Sequence, residues 1–253
     1  MISKAEIKQI RSLNTKKGRD ISNLILIEGT RLISQVLESK YDIVKVWTTE
    51  DFATKNSSLI KLLRGTSTNL ISNQDLKKIT ATKNPSGIIG VLRPPIGGFN
   101  KVKQKIIILD SISDPGNLGT ILRTANWFGV NNVMLSDDCV DPYNSKVVRS
   151  AMGAHFNMNI FYGNMFDYIK KLRDKNFEII AADLNTNESI ENLNISSNKW
   201  ALLFGNEAHG LSKKLSNMAE HKVKISKIGK IESLNVSVAC GIFLYHISNK
   251  SKH

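Results

Sequence analysis

Apolar and polar positions alternate along the chain in two successive series. In the first series, the apolar runs "LILIEG" (24–29), Ile43–Trp47 and "GIIGVL" (87–92) predict strands. Stretches with helical spacing lie between and before them, among them Lys4–Leu13 and Arg31–Glu38. Strands and helices that alternate over such short intervals are typical of a small α/β unit.

A segment rich in proline and glycine, "RPPIGGFNKVKQ" (93–104), separates the two series and is the best linker candidate. After it, "KIIILD" (105–110) contains the uninterrupted apolar run Ile106–Leu109, which indicates a strand buried on both faces of a parallel sheet. Further strands are predicted at Val133–Leu135, Asn157–Ile160, Glu178–Ala182, Trp200–Phe204 and Val223–Ile225, with helices at 119–128, 145–152, 165–175, 212–219 and 236–247. We therefore expect an α/β protein with domains at 1–92 and 105–253, joined by a linker at 93–104.

The composition argues against several classes of protein. Hydrophobic residues make up 41% of the 253 residues, no apolar run is long enough to span a bilayer, and Met1–Ile10 has no signal-peptide core. The two cysteines, Cys139 and Cys240, lie far apart without metal-ligand spacing, so we expect neither a disulfide framework nor a metal. We expect no membrane association and a cytoplasmic location, or an organelle matrix if the source is eukaryotic.

The net charge of +13 is concentrated near the start of the chain. Residues 1–19 contain one carboxylate, Glu6, against the cations Lys4, Lys8, Arg11, Lys16, Lys17 and Arg19. Such a patch favours a polyanion by releasing its counterions, whereas the alternative is an ordinary solvated surface. We predict that this segment sets the affinity for a nucleic acid.

The segment "LDSISDPGNLGTILRTANWFGV" (109–130) directly follows the predicted buried strand. Only "GNLG" occupies the place where a dinucleotide site has G-x-G-x-x-G, so a site of that class is poorly supported. On the predicted helix, Arg123 projects away from an apolar stripe formed by Leu118, Leu122 and Ala125. Asn117 is either the N-cap of that helix or, with Arg123, part of a site that faces an anion or RNA.

The segment "LLFGNEAHGLS" (202–212) leaves the last long buried strand. Gly205 would let a ligand approach the backbone, and Glu207 would stand at the carboxyl edge of the sheet, where such folds bind ligands. The alternative is a tight turn with a solvated Glu207 and with Ser212 as a helix cap. We interpret His209 as a surface residue.

The segment "IESLNVSVACGIFLYH" (231–246) predicts a helix that is apolar on nearly all sides. Such a helix is buried, here between its own sheet and, we expect, a second subunit. Ser233 or Asn235 is its candidate cap, and both also qualify as the wall of a binding site.

The last three segments, in this order, resemble the three motifs of the SpoU (TrmH) branch of the SPOUT RNA 2′-O-ribose methyltransferases. "DPYNSKVVRSAMGAHF" (141–156) also resembles a family segment, and the whole match covers about residues 105–247. "LILIEGTRLISQVL" (24–37) and "ITATKNPSGIIGVL" (79–92) are similar to the family's N-terminal RNA-binding domain, an α/β module related to some ribosomal proteins.

The resemblance implies a C-terminal SPOUT domain with a deep trefoil knot, an obligate homodimer, and S-adenosylmethionine as cofactor. Backbone groups of Gly205, Ile225 and Leu234 would contact the adenosine. Carried onto this sequence, the cofactor-binding residues are Leu203, Phe204, Gly205, Asn206, Ile225, Ser226, Leu234 and Asn235.

The family's polar catalytic set maps without departure onto Asn117, Arg123, Glu207, Ser233 and Asn235. The implied reaction is attack of a ribose 2′-oxygen on a sulfonium methyl group, without a metal. The counterpart of Arg123 is the base proposed for the family, but an arginine stays protonated. We therefore assign Arg123 to orienting the hydroxyl or its phosphate and to stabilising developing negative charge, with Glu207 and Asn117 holding it in place.

We expect a methyltransferase for large-subunit ribosomal RNA, because the layout is closest to that of family members that modify guanosine in 23S-type RNA. A transfer-RNA enzyme or a resistance-type ribosomal-RNA enzyme would share much of this layout. A non-catalytic RNA-binding or ribosome-assembly factor on the same fold is an alternative of another class, which intact Asn117, Arg123, Glu207, Ser233 and Asn235 argue against. A generic nucleotide-binding protein is the third alternative.

Overall fold

The computed structural model describes residues 2–250, without the side chain of Lys250. The helices in this range are α1 Lys4–Ser12, α2 Lys16–Ser22, α3 Thr30–Leu37, α4 Glu50–Lys55, α5 Ser57–Leu62, α6 Asn73–Ile79, α7 Pro115–Trp127, α8 Ser145–Ser150, α9 Met165–Arg173, α10 Lys213–Ser216 and α11 Val236–Lys250. The strands are β1 Ile25–Glu28, β2 Ile43–Thr48, β3 Ser67–Leu70, β4 Ile88–Leu92, β5 Ile106–Leu109, β6 Asn132–Leu135, β7 Asn159–Tyr162, β8 Glu178–Ala182, β9 Trp200–Phe204 and β10 His221–Val223.

These elements form two compact units. The first unit contains the chain up to Pro95 together with Asp141–Phe156, and the second contains Ile96–Val140 and the chain from Asn157 onward. Each unit has its own sheet. The expected domain limits of 1–92, 93–104 and 105–253 therefore differ from the compact units in two respects. Residues 141–156 belong to the first unit, and the expected linker is divided between the units after Pro95.

The four-stranded sheet of the first unit is apolar on both faces. Its order is β1-β4-β2-β3, with β4 antiparallel to β1 and β2 and with β3 parallel to β2. Along β1, Ile25 and Ile27 belong to one buried cluster and Leu26 belongs to another. Because successive strand residues point to opposite faces, helices cover both sides, with Ile33 of α3 in the first cluster and Leu76 of α6 in the second. The predicted small α/β unit is present.

Residues 141–156 pack in the first unit although they lie within the expected domain 105–253. Val148 of α8 and Phe156 enter the buried cluster that contains Ile25 and Ile27. Arg19, only 6% exposed, forms an ion pair with Asp141 and donates a hydrogen bond to the carbonyl oxygen of Leu13. This packing joins residues that are more than a hundred positions apart, which local periodicity does not report.

Six parallel strands form the sheet of the second unit, in the order β10-β8-β9-β5-β6-β7. Every residue of β5 and β9 is buried, as the uninterrupted apolar runs predict. The chain adds β6 and β7 on one side of β5 and then places β8, β9 and β10 on the other side. The strand order thus reverses between β5 and β9, and ligands of such folds bind where the carboxyl ends of these strands diverge.

Two element boundaries differ from the predicted ones near this edge. Helix α7 begins at Pro115 rather than at residue 119, because Asp114 caps it and a proline fits the first helical position. Strand β10 is His221–Val223 rather than Val223–Ile225, so Ile225 lies beyond the strand. The shift leaves residues 224–235 as one long irregular connection between β10 and α11.

The segment predicted as a linker packs along the outer edge of β7 within the second unit. The Gly98 N–H donates to Asn159 Oδ1 at 2.8 Å, and Asn159 Nδ2 donates back to the Gly98 carbonyl oxygen at 3.0 Å. A Cβ atom on Gly97 would lie 1.9 Å from the carbonyl oxygen of Ile160, so only glycine allows this approach. The glycines therefore protect a sheet edge that would otherwise be open.

No helix within residues 2–250 combines the length and the apolar character needed to cross a membrane. The same residues contain no group of three or more His, Cys, Asp or Glu arranged to hold a metal ion.

Candidate active site

Strands β5 and β9 bring two of the sequence motifs to the same point. Leu109 and Phe204, the last residues of these strands, are partners in the parallel register, and the Asp110 N–H donates to the Phe204 carbonyl oxygen at 2.9 Å. The loops that follow therefore start side by side. Burial raises the pKa of Asp110, against the opposing effect of a hydrogen bond from Ser111 Oγ.

The loop after β9 folds back on itself around Asn206. Its Oδ1 accepts from the backbone N–H groups of Ala208 and His209, at 2.8 and 3.2 Å, and its Nδ2 donates to the Ser111 carbonyl oxygen at 2.9 Å. A Cβ atom on Gly205 would lie 2.2 Å from the carbonyl carbon of Gly210. The space beside Gly205 is thus filled by the chain's own backbone, which gives this glycine a structural reason besides the predicted approach of a ligand.

The start of α7 corrects one interpretation of Asn117. Asp114 is the N-cap of this helix, and its Oδ1 accepts from the Asn117 N–H at 2.8 Å. Asn117 is therefore not the cap, and its side chain serves another purpose. Its Nδ2 donates to Oε1 of Glu207, which lies in the loop after β9, at 3.0 Å.

Asn235 links the third motif to the other two. Its Oδ1 accepts from the Ser237 N–H at 2.9 Å, so Asn235 rather than Ser233 caps α11. Its Nδ2 donates to Asn117 Oδ1 at 2.9 Å. A carboxylate only accepts and a backbone N–H only donates, so these end groups fix the orientation of both amides. Hydrogen bonds therefore link Glu207, Asn117 and Asn235, one residue from each motif. We name these three residues the polar chain.

Glu207 keeps one carboxylate oxygen for another partner. The side chain is partly buried, and Oε2 is shielded from solvent without a hydrogen-bond partner among the described residues. A buried acceptor in this state is unfavourable unless a ligand donates to it, by roughly 1–3 kcal/mol or more for a charged group. Oε2 therefore marks the point at which a donor from outside the protomer is expected.

Arg123 and Ser233 form no hydrogen bond with the polar chain. Arg123 is exposed, as predicted, on the side of α7 opposite the buried residues Leu118, Leu122 and Ala125. The side chains of Arg123 and Ser233 form no hydrogen bond or ion pair with a described residue. Both remain predictions as catalytic residues, and each presents its polar group to solvent within the protomer.

Five of the eight predicted cofactor residues fall into two groups. Leu203 and Phe204 are buried at the end of β9, where Phe204 stacks edge-on against Phe243 of α11 at 5.5 Å, so their side chains support the core. Gly205, Ile225 and Leu234 lie in loops, and none of their backbone groups forms a hydrogen bond within the described residues. These three are the residues for which backbone contacts with adenosine were predicted, and their polar groups remain available.

Ser226 contacts two residues that the motifs did not predict, Ser189 and Glu191. Its Oγ lies 2.8 Å from Ser189 Oγ and donates to Glu191 Oε2 at 3.2 Å. The backbone alongside is paired too, since Ile190 N–H donates to the Lys224 carbonyl oxygen at 2.8 Å. Residues 188–191 thus hold the segment that carries Ile225 and Ser226. Nothing local marks Ser189 and Glu191, because their partner lies more than thirty positions away.

Helix α11 has one buried side and one exposed apolar side. Cys240, Phe243, Leu244 and Ile247 are at most 2% exposed. Val238, Ile242 and Tyr245 are apolar or aromatic as predicted, yet they are exposed within the protomer, as is Trp127 of α7 at 84%. Helix α7 packs against α11. An exposed apolar surface of this kind marks an interaction surface.

The sequence matches two known families over the ranges that these motifs suggest. Residues 104–245 match the SpoU rRNA Methylase family, and residues 4–90 match the MRM3-like substrate binding domain. The chain belongs to the SpoU rRNA methylase family. The resemblance of the three motifs to this family is thereby confirmed.

Relatives in this family resemble the chain over nearly its whole length. The chain is 31% identical, over 242 residues, to the 23S rRNA (guanosine(2553)-2′-O)-methyltransferase RlmP of Bacillus subtilis (strain 168), a match that covers 96% of this chain and 95% of that protein. The crystal structure of the AdoMet-bound rRNA methyltransferase from Sinorhizobium meliloti matches with a TM-score of 0.88 and 27% identity, over 98% of this chain and 97% of that chain. The expected SPOUT architecture is confirmed.

A structure named for transfer RNA matches a smaller part. The TrmH/SpoU tRNA modifying enzyme of A. aeolicus matches with a TM-score of 0.54 and 25% identity, over 60% of this chain and 77% of that chain.

Proposed function

We propose that this SpoU methylase transfers a methyl group from S-adenosylmethionine to a ribose 2′-hydroxyl of large-subunit ribosomal RNA. One observation carries the proposal: Glu207, Asn117 and Asn235 are joined by hydrogen bonds of 3.0 and 2.9 Å, and Glu207 Oε2 is left as a buried acceptor. A ribose hydroxyl is a donor of the kind that this oxygen requires. The site thus fits a neutral hydroxyl that must be oriented.

The cofactor fits the loops after β9 and β10 and before α11. Gly205, Ile225 and Leu234 offer unpaired backbone groups, which suit the donors and acceptors of an adenine and its ribose. When bound, S-adenosylmethionine would supply an electrophilic methyl group, and its sulfur would keep the electron pair of the broken S–C bond. The proton of the ribose hydroxyl would pass to Glu207 Oε2, the unpaired acceptor of the site. Ser226, held by Ser189 and Glu191, would keep the loop that contains Ile225 in place.

The polar chain has a definite part in this reaction. Glu207 Oε2 would accept the hydrogen bond of the 2′-hydroxyl and so fix the direction of its oxygen lone pairs. Asn117 holds the other oxygen of Glu207, and Asn235 holds Asn117. Arg123, protonated and exposed, would bind the neighbouring phosphate and stabilise negative charge that develops on the ribose oxygen.

We also propose that the protein acts as a homodimer through α11 and the end of α7. The occupant of this surface would be a second copy. Val238, Ile242 and Tyr245 share an exposed apolar side of α11, and Trp127 is exposed on the neighbouring α7, a surface that polar RNA does not match. Sedimentation equilibrium is expected to show a dimer for the wild type and a monomer for Val238→Lys/Tyr245→Lys. A wild type that sediments as a monomer at micromolar concentration contradicts the assignment.

Ribosomal RNA is favoured over transfer RNA by how much of the chain is matched. RlmP and the S. meliloti enzyme, both named for rRNA, match 96% and 98% of the chain, whereas the A. aeolicus enzyme named for tRNA matches 60%. The first unit contains the match to a substrate binding domain. We propose that this unit binds the ribosomal RNA.

The deep trefoil knot and a cytoplasmic location complete the proposal. The chain passes from the edge strand β10 through residues 224–235 to α11, which lies against α7, the helix that follows the central strand β5. Such a return is compatible with a threaded chain, as a trefoil knot requires.

The proposed cytoplasmic location follows from the proposed substrate, because proteins that modify new ribosomal RNA act where the ribosome is assembled.

The decisive test combines cofactor binding with mapping of the product. Purified protein is expected to bind S-adenosylmethionine by calorimetry and to transfer its labelled methyl group to deproteinised large-subunit rRNA, with ribose methylation mapped to one nucleotide. Transfer to total tRNA but not to rRNA contradicts the substrate. Absence of measurable cofactor binding contradicts the enzyme and favours the assembly-factor alternative.

A further inference from the structure

The cations at the start of the chain are not equivalent once their partners are known. Arg19 is buried in its ion pair with Asp141, and the Lys45 ammonium lies 2.6 Å from Glu6, holding the pKa of that carboxyl below its usual range. The first unit therefore neutralises the one carboxylate of α1. Lys4, Lys8 and Arg11 are exposed and form no ion pair with a described residue.

These three cations form a single stripe along α1. Their spacing of four and three residues places them on one face of the helix, over a length of roughly 10 Å. The opposite face of α1 is apolar and packed, since Ile10 and Leu13 belong to a buried cluster of the first unit. We name Lys4, Lys8 and Arg11 the α1 stripe.

A cleft of about 490 Å³ continues from the end of the stripe between α1 and α2. Ser12, one turn after Lys8, lines it from α1, and Lys17 lines it from α2. The hydroxyls of Ser12 and Ser22 donate to carbonyl oxygens of their own helices. The rest of the lining surface is mostly apolar and includes Ile21, which is 77% exposed. The cleft can thus hold the less polar sugar part of a ligand beside the cations of α1 and Lys17 of α2.

The two helices that form this surface are held rigidly. Gly18 lies so close to α1 that a Cβ atom would be 2.0 Å from the carbonyl oxygen of Ser12. Ser3 and Thr15 cap the two helices by accepting from the N–H groups of Glu6 and Gly18, both at 3.1 Å. The cations thus project from a surface that needs little ordering when a ligand binds.

From this arrangement we infer that the α1 stripe and the adjoining cleft form the surface on which the first unit docks the sugar–phosphate backbone of RNA. This inference rests on the proposed function, because it names the part of the first unit that contacts the RNA. A row of unpaired cations attracts a polyanion through release of its counterions, without reading its sequence. A membrane surface does not fit, because the apolar face of α1 is already buried in the protein.

The chain contains a matched control on another surface of the same unit. It consists of Lys55 at the end of α4, Lys61 in α5 and Arg64 after α5. All three are exposed cations and form no ion pair with a described residue. Their surroundings are of mixed sign, because Glu50 and Asp51 are exposed at the start of α4. A polyanion therefore gains less there.

The test compares Lys4→Gln/Lys8→Gln/Arg11→Gln with Lys55→Gln/Lys61→Gln/Arg64→Gln in the full-length protein. Glutamine keeps the helix propensity of the residues that it replaces. For deproteinised large-subunit rRNA, the stripe variant is expected to lose about ten- to a hundredfold in affinity at low salt, and the slope of log affinity against log salt is expected to fall by about 2 to 3. The control variant is expected to stay near the wild type.

Methyl transfer by the same proteins separates this inference from the proposed function. The stripe variant is expected to raise KM for rRNA and to leave kcat and S-adenosylmethionine affinity unchanged. If both variants bind rRNA with the same affinity and salt slope, the α1 stripe is not the docking surface, and a surface for an acidic protein becomes the better interpretation. If the wild type binds rRNA through the stripe but transfers no methyl group, the proposed function fails and the docking surface stands.

Discussion

We propose that the α1 stripe of the first unit and the polar chain of the second unit both contact RNA, but the structure holds their side chains differently. Lys4, Lys8 and Arg11 touch no charged partner, so each contributes to binding on its own. Glu207, Asn117 and Asn235 are linked end to end, so each side chain fixes the orientation of the next. We therefore expect the losses of RNA affinity from single substitutions to add in the α1 stripe. In the polar chain, we expect the losses of activity from single substitutions to be strongly coupled. Affinity and reactivity can then be altered separately.

The largest effect is expected from Glu207→Gln. Glutamine keeps the shape and can still accept from Asn117, but its NH₂ group replaces the buried acceptor Oε2. We expect kcat to fall about 10³-fold, within the range for groups that handle a reacting proton. Single-turnover transfer to rRNA measures it, with affinities for rRNA and S-adenosylmethionine determined alongside. Glu50→Gln, an exposed carboxylate of the first unit, is the control and should keep full activity.

Arg123→Ala should have the next largest effect, about 10²-fold on kcat, as for removal of one group that stabilises transition-state charge. Because Arg123 has no partner within the described protomer, its removal should leave the stability unchanged. Arg123→Lys keeps the charge but loses the planar fork, so partial recovery is expected. An Arg123→Ala protein that binds RNA and cofactor normally and still methylates at the wild-type rate contradicts this role.

Two substitutions of Asn235 separate its two functions. Asn235→Ser keeps a capping oxygen for α11 and loses the amide that donates to Asn117, whereas Asn235→Ala loses both. Both are expected to reduce kcat about tenfold, the rate equivalent of one hydrogen bond. Only the alanine variant should lower the free energy of unfolding, by about 1 kcal/mol. Equal stability losses with unchanged kcat would reduce Asn235 to a cap.

The smallest effect is expected at Ser189 and Glu191, which contact the predicted cofactor-binding residue Ser226. In Ser189→Ala/Glu191→Gln, Ser226 loses its contact with Ser189 and the charge of its acceptor at position 191, so the Kd for S-adenosylmethionine should rise about two- to fivefold. The Kd for rRNA should not change. Glu188→Gln is the control, because its side chain lies in the same segment and is exposed without contacting Ser226. A lower melting temperature with an unchanged cofactor Kd would limit Ser189 and Glu191 to a structural role.

The sequence predicts the second unit well because its strands are buried on both faces. Uninterrupted apolar runs such as 106–109 and 200–204 are typical of strands in the middle of a parallel sheet, and motifs that follow such strands must meet at one edge. The position of Glu207 at that edge was predicted in this way, and Asn117 lies beside it in the structure. Whether Asn117 caps α7 stayed open, because Asp114 and Asn117 are both good capping residues; the backbone geometry shows that Asp114 is the cap.

Contacts between distant segments escaped prediction. Ser189 and Glu191 support Ser226 through side chains that are ordinary in their own surroundings, and Asp141 neutralises Arg19 from far along the chain. The apolar pattern of α11 predicted a second subunit against one side of this helix. Val238, Ile242 and Tyr245 on that side are exposed within the protomer, and the second subunit stays a prediction.

The placement of Asp141–Phe156 in the first unit bears on how the protein is made. A nascent chain releases residues 1–95 well before residues 141–156, with β5, α7 and β6 in between. Until then, Arg19 has no carboxylate partner and the cluster around Ile27 lacks Val148 and Phe156. Loss of one partner of a buried ion pair costs about 3–5 kcal/mol. We therefore expect the first unit to complete its folding during translation only after part of the second has been synthesised, although it comes first in the sequence.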